Sequence, residues 1–589
     1  MNRYRASIAK PLGVLSLLLL PATVPGPAWA AGDSVVDGLP TATACAELGF
    51  AVATRDDSSG SGASFSLSVT PPPGVAPQPS PLAPNTAPRA APSLNNSLPG
   101  AFAPSPQVGF LAEAPIDTER YPNATSNPIK QVASEPVSTF SIDVDTASYA
   151  NVRRFLNDGT LPPRDAVRVE EMINYFDYGY LQPSTGEGPF AVHTAVTPSP
   201  WWAGREIVHI GIQGYDLDRT AQPPLNLVFL VDVSGSMRGE DRLGLIQKAL
   251  NLLIDQLRPE DRVALVVYAG AAGAVLGPTP GNQKLKLRCA VDALTAGGST
   301  AGGAGLALAY DLAQESLDTE AVNRVILLTD GDFNVGIADP EKLEDFVAEK
   351  RKTGVYLSVY GFGRGNYNDV MMQTLTQSGN GTAAYIDTLQ EARKRFRDDF
   401  SGTLYPIADD VKIQVEFNPA RVAEYRLIGY ETRLLDRSDF NNDLVDAGEV
   451  GAGASVTALY EITPVGGPLS VDPLRYATPT VTGDPDGELA YLKIRYKLPG
   501  EDSSLLIERS IGDGDRPAAL NEAPEATRWA LAVAAYGQRL RGDPYVAADF
   551  DWPAILALAQ GARGDDPFGL RAEFVQLVRA AETARSVNE

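Results

Sequence analysis

Leu227-Val228-Phe229-Leu230-Val231 is an uninterrupted apolar run that stops at Asp232. A strand apolar on both faces has to be covered on both sides. The residues that follow supply the covers: Leu243, Ile246, Leu250, Leu253 and Leu257 fall on one face of a helix. Residues 263–268, 325–328 and 355–360 are further apolar strands with helical segments between them. This alternation predicts an α/β unit over residues 223–404, an open, doubly wound, mainly parallel sheet with helices on both faces.

The flanking regions read differently. Arg3, Arg5 and Lys10 precede an apolar core from Leu12 to Leu20, and Ala28-Trp29-Ala30 gives a small-x-small cleavage pattern, so residues 1–30 are expected to be a secretory signal. That core is too short to span a bilayer, and no other stretch approaches about 18 apolar residues. The mature chain is therefore expected to have no integral membrane segment. Residues 31–134 read as a stub followed, from about Asp56 to Ser134, by a Pro/Ala/Ser/Gly-rich tether that cannot bury enough apolar surface to offset its ordering entropy.

Order is expected from Ser138, in a segment spanning 135–222. Residues 140–144 alternate like a strand, Thr146 is placed to cap a helix starting near Ala147, and Val169, Met172, Ile173 and Phe176 recur with helical spacing. Residues 190–196 and 207–212 look like strands. Beyond the central unit, over 405–589, Val411, Ile413, Val415 and Phe417 alternate with polar residues, as do Leu492, Ile494, Tyr496 and Leu498. These are strands of an antiparallel sheet. The chain ends in amphipathic helices carrying Trp529, Val533, Tyr536 and Leu540, then Leu570, Phe574 and Val578.

The chain of 589 residues carries 49 basic and 73 acidic residues, a formal charge of −24. Nucleic acid and anionic lipid would be repelled by that surface and are excluded as main partners. Cys45 and Cys289 allow one disulfide. Cys45 lies ahead of the low-complexity tract and Cys289 in an expected helix, so unpaired thiols are the favoured reading and the disulfide stays open.

The chemistry concentrates at Asp232-Val233-Ser234-Gly235-Ser236, directly after the first apolar strand. In an extended loop alternate side chains point the same way, so Asp232, Ser234 and Ser236 converge. They do so beyond the carboxyl end of a strand, where open α/β sheets place ligands. Two more loops are expected at that edge: residues 297–303, with Thr300, and residues 329–332, with Asp330. Hydroxyl and carboxylate oxygens without sulfur or imidazole suit a hard cation. Mg²⁺ is the expected ion, with Mn²⁺ and Ca²⁺ as alternatives.

Asp232, Ser234 and Ser236, followed by Thr300 and Asp330, resemble the metal-ion-dependent adhesion site of von Willebrand factor A domains. The resemblance implies direct or nearly direct coordination by Ser234, Ser236 and Thr300, with Asp232 and Asp330 often acting through water. Residues 138–180, 297–305, 329–336 and 417–451 further resemble a bacterial group with a specific segment before the metal domain and an uncharacterised domain after it. The expected function is metal-dependent binding of a protein partner that offers a carboxylate, in the periplasm or at the cell surface of a bacterium. A metal-assisted hydrolase and an envelope scaffold with a purely stabilising metal are the alternatives.

Nothing else in the sequence competes with this site. Asp143, Asp145, Thr146 and Ser148 read as helix capping. Asp439-Phe440-Asn441-Asn442-Asp443 begins like a calcium loop, but Leu444 stands where glycine is needed, so it reads as an acidic turn. Glu240 and Asp241 read as solvated charge at a helix start. His193 and His209, the only histidines, are assigned packing or surface roles, and Pro198, Trp201 and Trp202 inter-domain packing. With no Gly-Lys phosphate loop, no H-E-x-x-H and no nucleophile elbow, the chain is expected not to be an enzyme.

Overall fold

The computed structural model describes residues 41–51, 118–122, 125–142, 144–184, 186, 188–299, 302–331, 340–472 and 483–588. The signal-type segment 1–30 and the body of the Pro-rich tract lie outside the described residues. Residues 118–122 and 125–134 of that tract, however, belong to the fold, and β1 (Lys130–Gln131) lies among them.

Helix α1 (Ala42–Glu47) is capped by Thr41, whose side chain accepts from the Ala44 amide at 3.2 Å. Its Cys45 is buried and disulfide-bonded to Cys289, with Cα atoms 5.3 Å apart. Of the two readings the less favoured one, a disulfide, is therefore the one found. A sequence separation of 244 residues carries no information about distance in the fold. The stub is therefore bonded to the central unit, not spaced away from it.

Strand β2 (Val137–Ser141) starts three residues earlier than the alternation suggested. Helix α2 (Ala147–Asn157) begins where expected, but Thr146 makes no side-chain cap. Helix α3 (Val169–Ile173) stops short of Phe176. Its C-terminal Asn174 is drawn into tertiary bonds, accepting from Thr457 N at 2.8 Å and donating to the Tyr430 hydroxyl at 3.0 Å. Strands β3 (Phe190–Pro198) and β4 (Glu206–Gly214) follow.

The central unit begins with β5 (Leu225–Asp232), every residue of which is buried. Helix α4 (Leu243–Gln256), β6 (Arg262–Tyr268), β7 (Ala272–Pro280), α5 (Lys284–Asp292) and α6 (Gly302–Glu315) come next. After them run β8 (Val322–Thr329), α7 (Pro340–Arg351), β9 (Val355–Phe362), α8 (Asp369–Ser378) and β10 (Ala383–Ile386). The short helices α9 (Leu389–Arg393) and α10 (Phe400–Leu404) close the unit. The sheet order is β10-β9-β8-β5-β6-β7, parallel throughout except for the antiparallel edge strand β7.

Period-two alternation explains the double cover. Leu227, Phe229 and Val231 pack with Ile246, Leu250 and Leu253 of α4, whereas Val228 and Leu230 pack with Leu306, Ala309 and Tyr310 of α6. Each of the valine, leucine, isoleucine and phenylalanine side chains among them contributes roughly 1.5–3 kcal/mol on burial. Because β6 lies on one side of β5 and β8 on the other, the carboxyl end of β5 is a topological switch point.

The strands before and after the central unit interleave into one β-sandwich. The later ones are β11 (Pro406–Phe417), β12 (Val422–Ile428), β13 (Gly448–Gly451), β14 (Ser455–Pro464), β15 (Ala490–Lys497) and β16 (Ser504–Ile511). One sheet runs β1-β12-β14-β4-β3, with Ile212 opposite Val456. The other runs β13-β11-β15-β16, with β2 also paired to β11 so that Phe140 faces Ile413. Phe417 joins the two, stacked on Tyr425 at 4.5 Å and edge-on to Tyr460 at 5.3 Å.

Helices α11 (Glu525–Arg541), α12 (Trp552–Gly561) and α13 (Leu570–Asn588) build a second core in which Trp529, Tyr536 and Phe574 pack with Val169 and Met172 of α3. None of the helices among the described residues is long and apolar enough to cross a membrane.

Candidate metal centre

Asp232 ends β5 with no exposed surface. Its Oδ1 accepts from the Ser234 amide at 2.8 Å, and its Oδ2 from the Tyr268 hydroxyl at 3.0 Å and Thr329 Oγ1 at 3.4 Å. The carboxylate is thus held from its own loop and from the ends of both neighbouring strands. Ser234 is buried and Ser236 half-buried, and their Oγ atoms lie 3.0 Å apart, so the two hydroxyls do converge.

The second loop is stitched to the first: Gly235 N donates to Gly298 O at 3.0 Å and Gly297 N to Val233 O at 2.7 Å. Thr300, two residues further along, lies outside the described residues, as does Asp332. Asp330 is fully buried just past β8, the neighbour of β5 in the sheet, and accepts from Asn366 Nδ2 at 3.4 Å. Asp232, Ser234, Ser236 and Asp330 therefore share the carboxyl edge of adjacent strands.

Electrostatics at this edge favours a cation. Burial pushes the Asp232 carboxyl up to about 6, the negative charge of Asp330 adds to the rise, and the bonds from Ser234 and Tyr268 hold it down. Among the described residues no lysine or arginine forms an ion pair with Asp232. Two buried carboxylates beside two converging hydroxyls fit a hard divalent ion, which would hold the Asp232 carboxyl ionised. Among the described residues no three His, Cys, Asp or Glu side chains cluster as metal ligands, here or elsewhere. The donor set at this edge owes as much to hydroxyls as to acids.

The other sequence candidates fall into ordinary roles, one of them not the expected one. Asp143 lies outside the described residues. Asp145 accepts from Ala383 N at 2.8 Å and pairs with Arg433 at 3.1 Å, so it does not cap α2. The Ser148 amide in the first turn is satisfied by Glu171 of α3 at 2.8 Å, and Ser148 Oγ donates to Ala166 O at 2.7 Å.

In the 439–443 turn, Lys412 Nζ donates to the carbonyls of Asp439 and Asn442, and Lys497 Nζ to that of Asp443. The Asp443 carboxylate, a side chain that a calcium loop would use, is paired with Arg495 at 2.9 Å, so positive side chains already serve this turn. Glu240 is exposed and bound to Lys248 at 2.8 Å. His209 is buried between the Thr527 and Tyr180 hydroxyls, and His193 contacts Leu181 O at 2.8 Å. Trp201 and Trp202 donate to Glu461 and to Tyr545 O, both at 2.6 Å, tying the turn to the sandwich and the C-terminal region.

Sequence reasoning missed Tyr268, Thr329 and Asn366. Tyr268 and Thr329 end strands at the same edge as Asp232, and that position was the available signal. Asn366 carried none.

Residues 115–209 match the von Willebrand factor family, residues 226–398 the von Willebrand factor type A domain, and residues 402–584 the C-terminal domain of the uncharacterized protein YfbK. The chain is 46% identical over 480 residues to uncharacterized protein YfbK of Escherichia coli K12, covering 80% of this chain and 82% of that one. It is 31% identical over 183 residues to uncharacterized protein sll0103 of Synechocystis, covering 31% and 42%. Among solved structures, a von Willebrand factor type A protein from Catenulispora acidiphila aligns with a TM-score of 0.40 at 18% identity, over 68% of this chain and 91% of that one. The chain belongs to the von Willebrand factor type A proteins of the YfbK family.

Proposed function

We infer that the protein is a metal-ion-dependent protein-binding module of the bacterial cell envelope. In this reading Asp232, Ser234, Ser236, Thr300 and Asp330 hold Mg²⁺, with Mn²⁺ or Ca²⁺ as substitutes, and a carboxylate of a protein partner completes the shell. The observation that carries it is the oxygen-only donor set at the switch point of the sheet, with Asp232 and Asp330 buried side by side. Neutral hydroxyls leave a bound cation electrophilic, and that is the chemistry it would supply toward a carboxylate. The N-terminal basic, apolar and small-residue pattern supports export.

Binding without turnover is the reading for the chemistry. His209 is pushed down to about 3 by burial and by His193, and so stays neutral at working pH. It also lies in the sandwich, away from the metal edge. Inter-domain coupling is supported by the insertion of the central unit between β4 and β11, where Gln222 ahead of β5 donates to Ser401 of α10 at 3.0 Å.

The test is cross-linking in living cells with a photo-reactive residue at the exposed Arg238, beside the Asp232–Ser236 loop. The expected result is a protein adduct that is lost on chelation and in Asp232→Ala. Adducts of equal yield in all three conditions would contradict the reading. So would a Mg²⁺-dependent rise in melting temperature without any Mg²⁺-dependent adduct, which would make the metal purely stabilising.

A further inference from the structure

The loop between β9 and α8 touches the Asp330 half of the candidate metal centre directly and is bridged to the Ser236 half by Arg242. Asn366 reaches Asp330, and the backbone of residues 366–368 lies directly on the Asp330–Gly331 turn. A Cβ on Gly331 (φ +98°) would come within 2.5 Å of Asn366 O and 2.8 Å of Asn368 N. On the other side, Arg242 donates to Ser236 O at 2.6 Å and to Arg364 O at 2.7 Å. One loop thus spans the Ser236 and Asp330 arms of the site.

The outer side of this loop is gripped by residues 118–121, which enter directly from the low-complexity tract. Thr118 N and Oγ1 both donate to Gly365 O at 2.9 Å, Arg120 N donates to Tyr367 O at 2.9 Å, and Asp369 N donates to Arg120 O at 3.0 Å. Arg120 and Asn368 form a parallel bridge, and Thr118 Oγ1 also reaches Asn366 Oδ1 at 3.4 Å.

Glu119 anchors the strap. Its Oε1 accepts from Gly365 N at 2.9 Å, and both oxygens take the Arg154 guanidinium of α2 at 2.6 and 2.7 Å, with side chains only 4% and 5% exposed. Tyr121 adds a hydroxyl bond to Glu119 at 2.8 Å and a ring contact with Tyr367 at 6.0 Å.

We propose that Glu119 is a positioning residue for the metal centre: through residues 118–121 it fixes the 364–368 loop and so sets the separation of the Ser236 and Asp330 arms. The inference rests on the metal reading above. By linkage, a cation that favours the closed arrangement of those arms favours docking of the strap equally. Any pull on the chain just ahead of Thr118 is then transmitted to the metal centre through main-chain bonds.

Glu119→Gln keeps the shape of the side chain and removes the charge that grips Arg154. It is compared with the wild type and with Asp232→Ala in the full chain, each first shown to be folded by circular dichroism. Calorimetry with Mg²⁺ alone is expected to show affinity reduced about tenfold in Glu119→Gln, the lower end of the cost of disturbing groups that orient metal ligands, and abolished in Asp232→Ala.

Hydrogen exchange supplies the readout that a merely structural role would not move. Mg²⁺ should slow exchange of the Arg120 and Asp369 amides in the wild type and leave them unchanged in Asp232→Ala. Wild-type Mg²⁺ affinity in Glu119→Gln, or Arg120 and Asp369 amides in the wild type indifferent to Mg²⁺, would overturn the proposal. Undiminished Mg²⁺ binding in Asp232→Ala would instead remove the site on which the strap acts.

Discussion

His209 illustrates how much one side chain can impose. Its ring nitrogens each lie 2.6 Å from a hydroxyl, Thr527 on one side and Tyr180 on the other, and burial pushes its pKa down to about 3. Below pH 6.5 the unfolded chain takes up a proton that the folded chain refuses, so stability falls as pH drops from about 6.5 toward 3, with a slope approaching 1.4 kcal/mol per pH unit. His209→Gln should remove that slope. Urea unfolding at several pH values between 7 and 5 should give a shallower decline for the variant, and parallel declines would contradict the assignment. Asp232, Ser234, Ser236 and Asp330 were legible in the sequence because alternation and strand ends place them by local rules. Tyr268 and Thr329 were not, because nothing local says that the ends of β6 and β8 bond to the Asp232 carboxylate.

At the scale of elements, the same distinction separates what periodicity reveals from what contact decides. The apolar run of β5 and the helical face of α4 were readable, since each pattern is set by its own cover. The end of α3 at Ile173 was not, because Asn174 leaves the helix for Thr457 and Tyr430. Nor was α1, whose place depends on Cys289. Nor were residues 118–121, whose main-chain bonds to the 365–369 loop leave no compositional mark. The turn after β8 carries the clearest consequence. Gly331 sits at φ +98° with the 366–368 backbone where a Cβ would be. Gly331→Ala should therefore cost about 1–3 kcal/mol in backbone strain alone, visible as a lower urea midpoint. It should also weaken Mg²⁺ binding by spreading the Asp330 turn from the Asn366 loop. Unchanged midpoint and affinity would show that the turn relaxes freely.

Across the whole molecule, buried charge links what topology separates. The Arg153 guanidinium of α2, with no exposed side-chain surface, meets Asp387 and Glu391 of the central unit, the latter at 2.9 Å, and Glu573 of α13 at 3.1 Å. Arg168, just ahead of α3, pairs with Glu171 and with Asp369 at the start of α8. The N-terminal segment is thus the joint between the central α/β unit, the sandwich that α3 abuts and the C-terminal helices. Sequence patterning revealed the separate strands and helices, but not these junctions. The account turns on oxygen atoms from separate strand ends meeting at one edge of one sheet. Anomalous diffraction from crystals of the full chain soaked in Mn²⁺ tests this most directly. The account predicts one strong peak within bonding distance of Ser234 Oγ and Ser236 Oγ, between Asp232 and Asp330 and reached by Thr300. A peak elsewhere, such as the 439–443 turn, with none at this edge would contradict it.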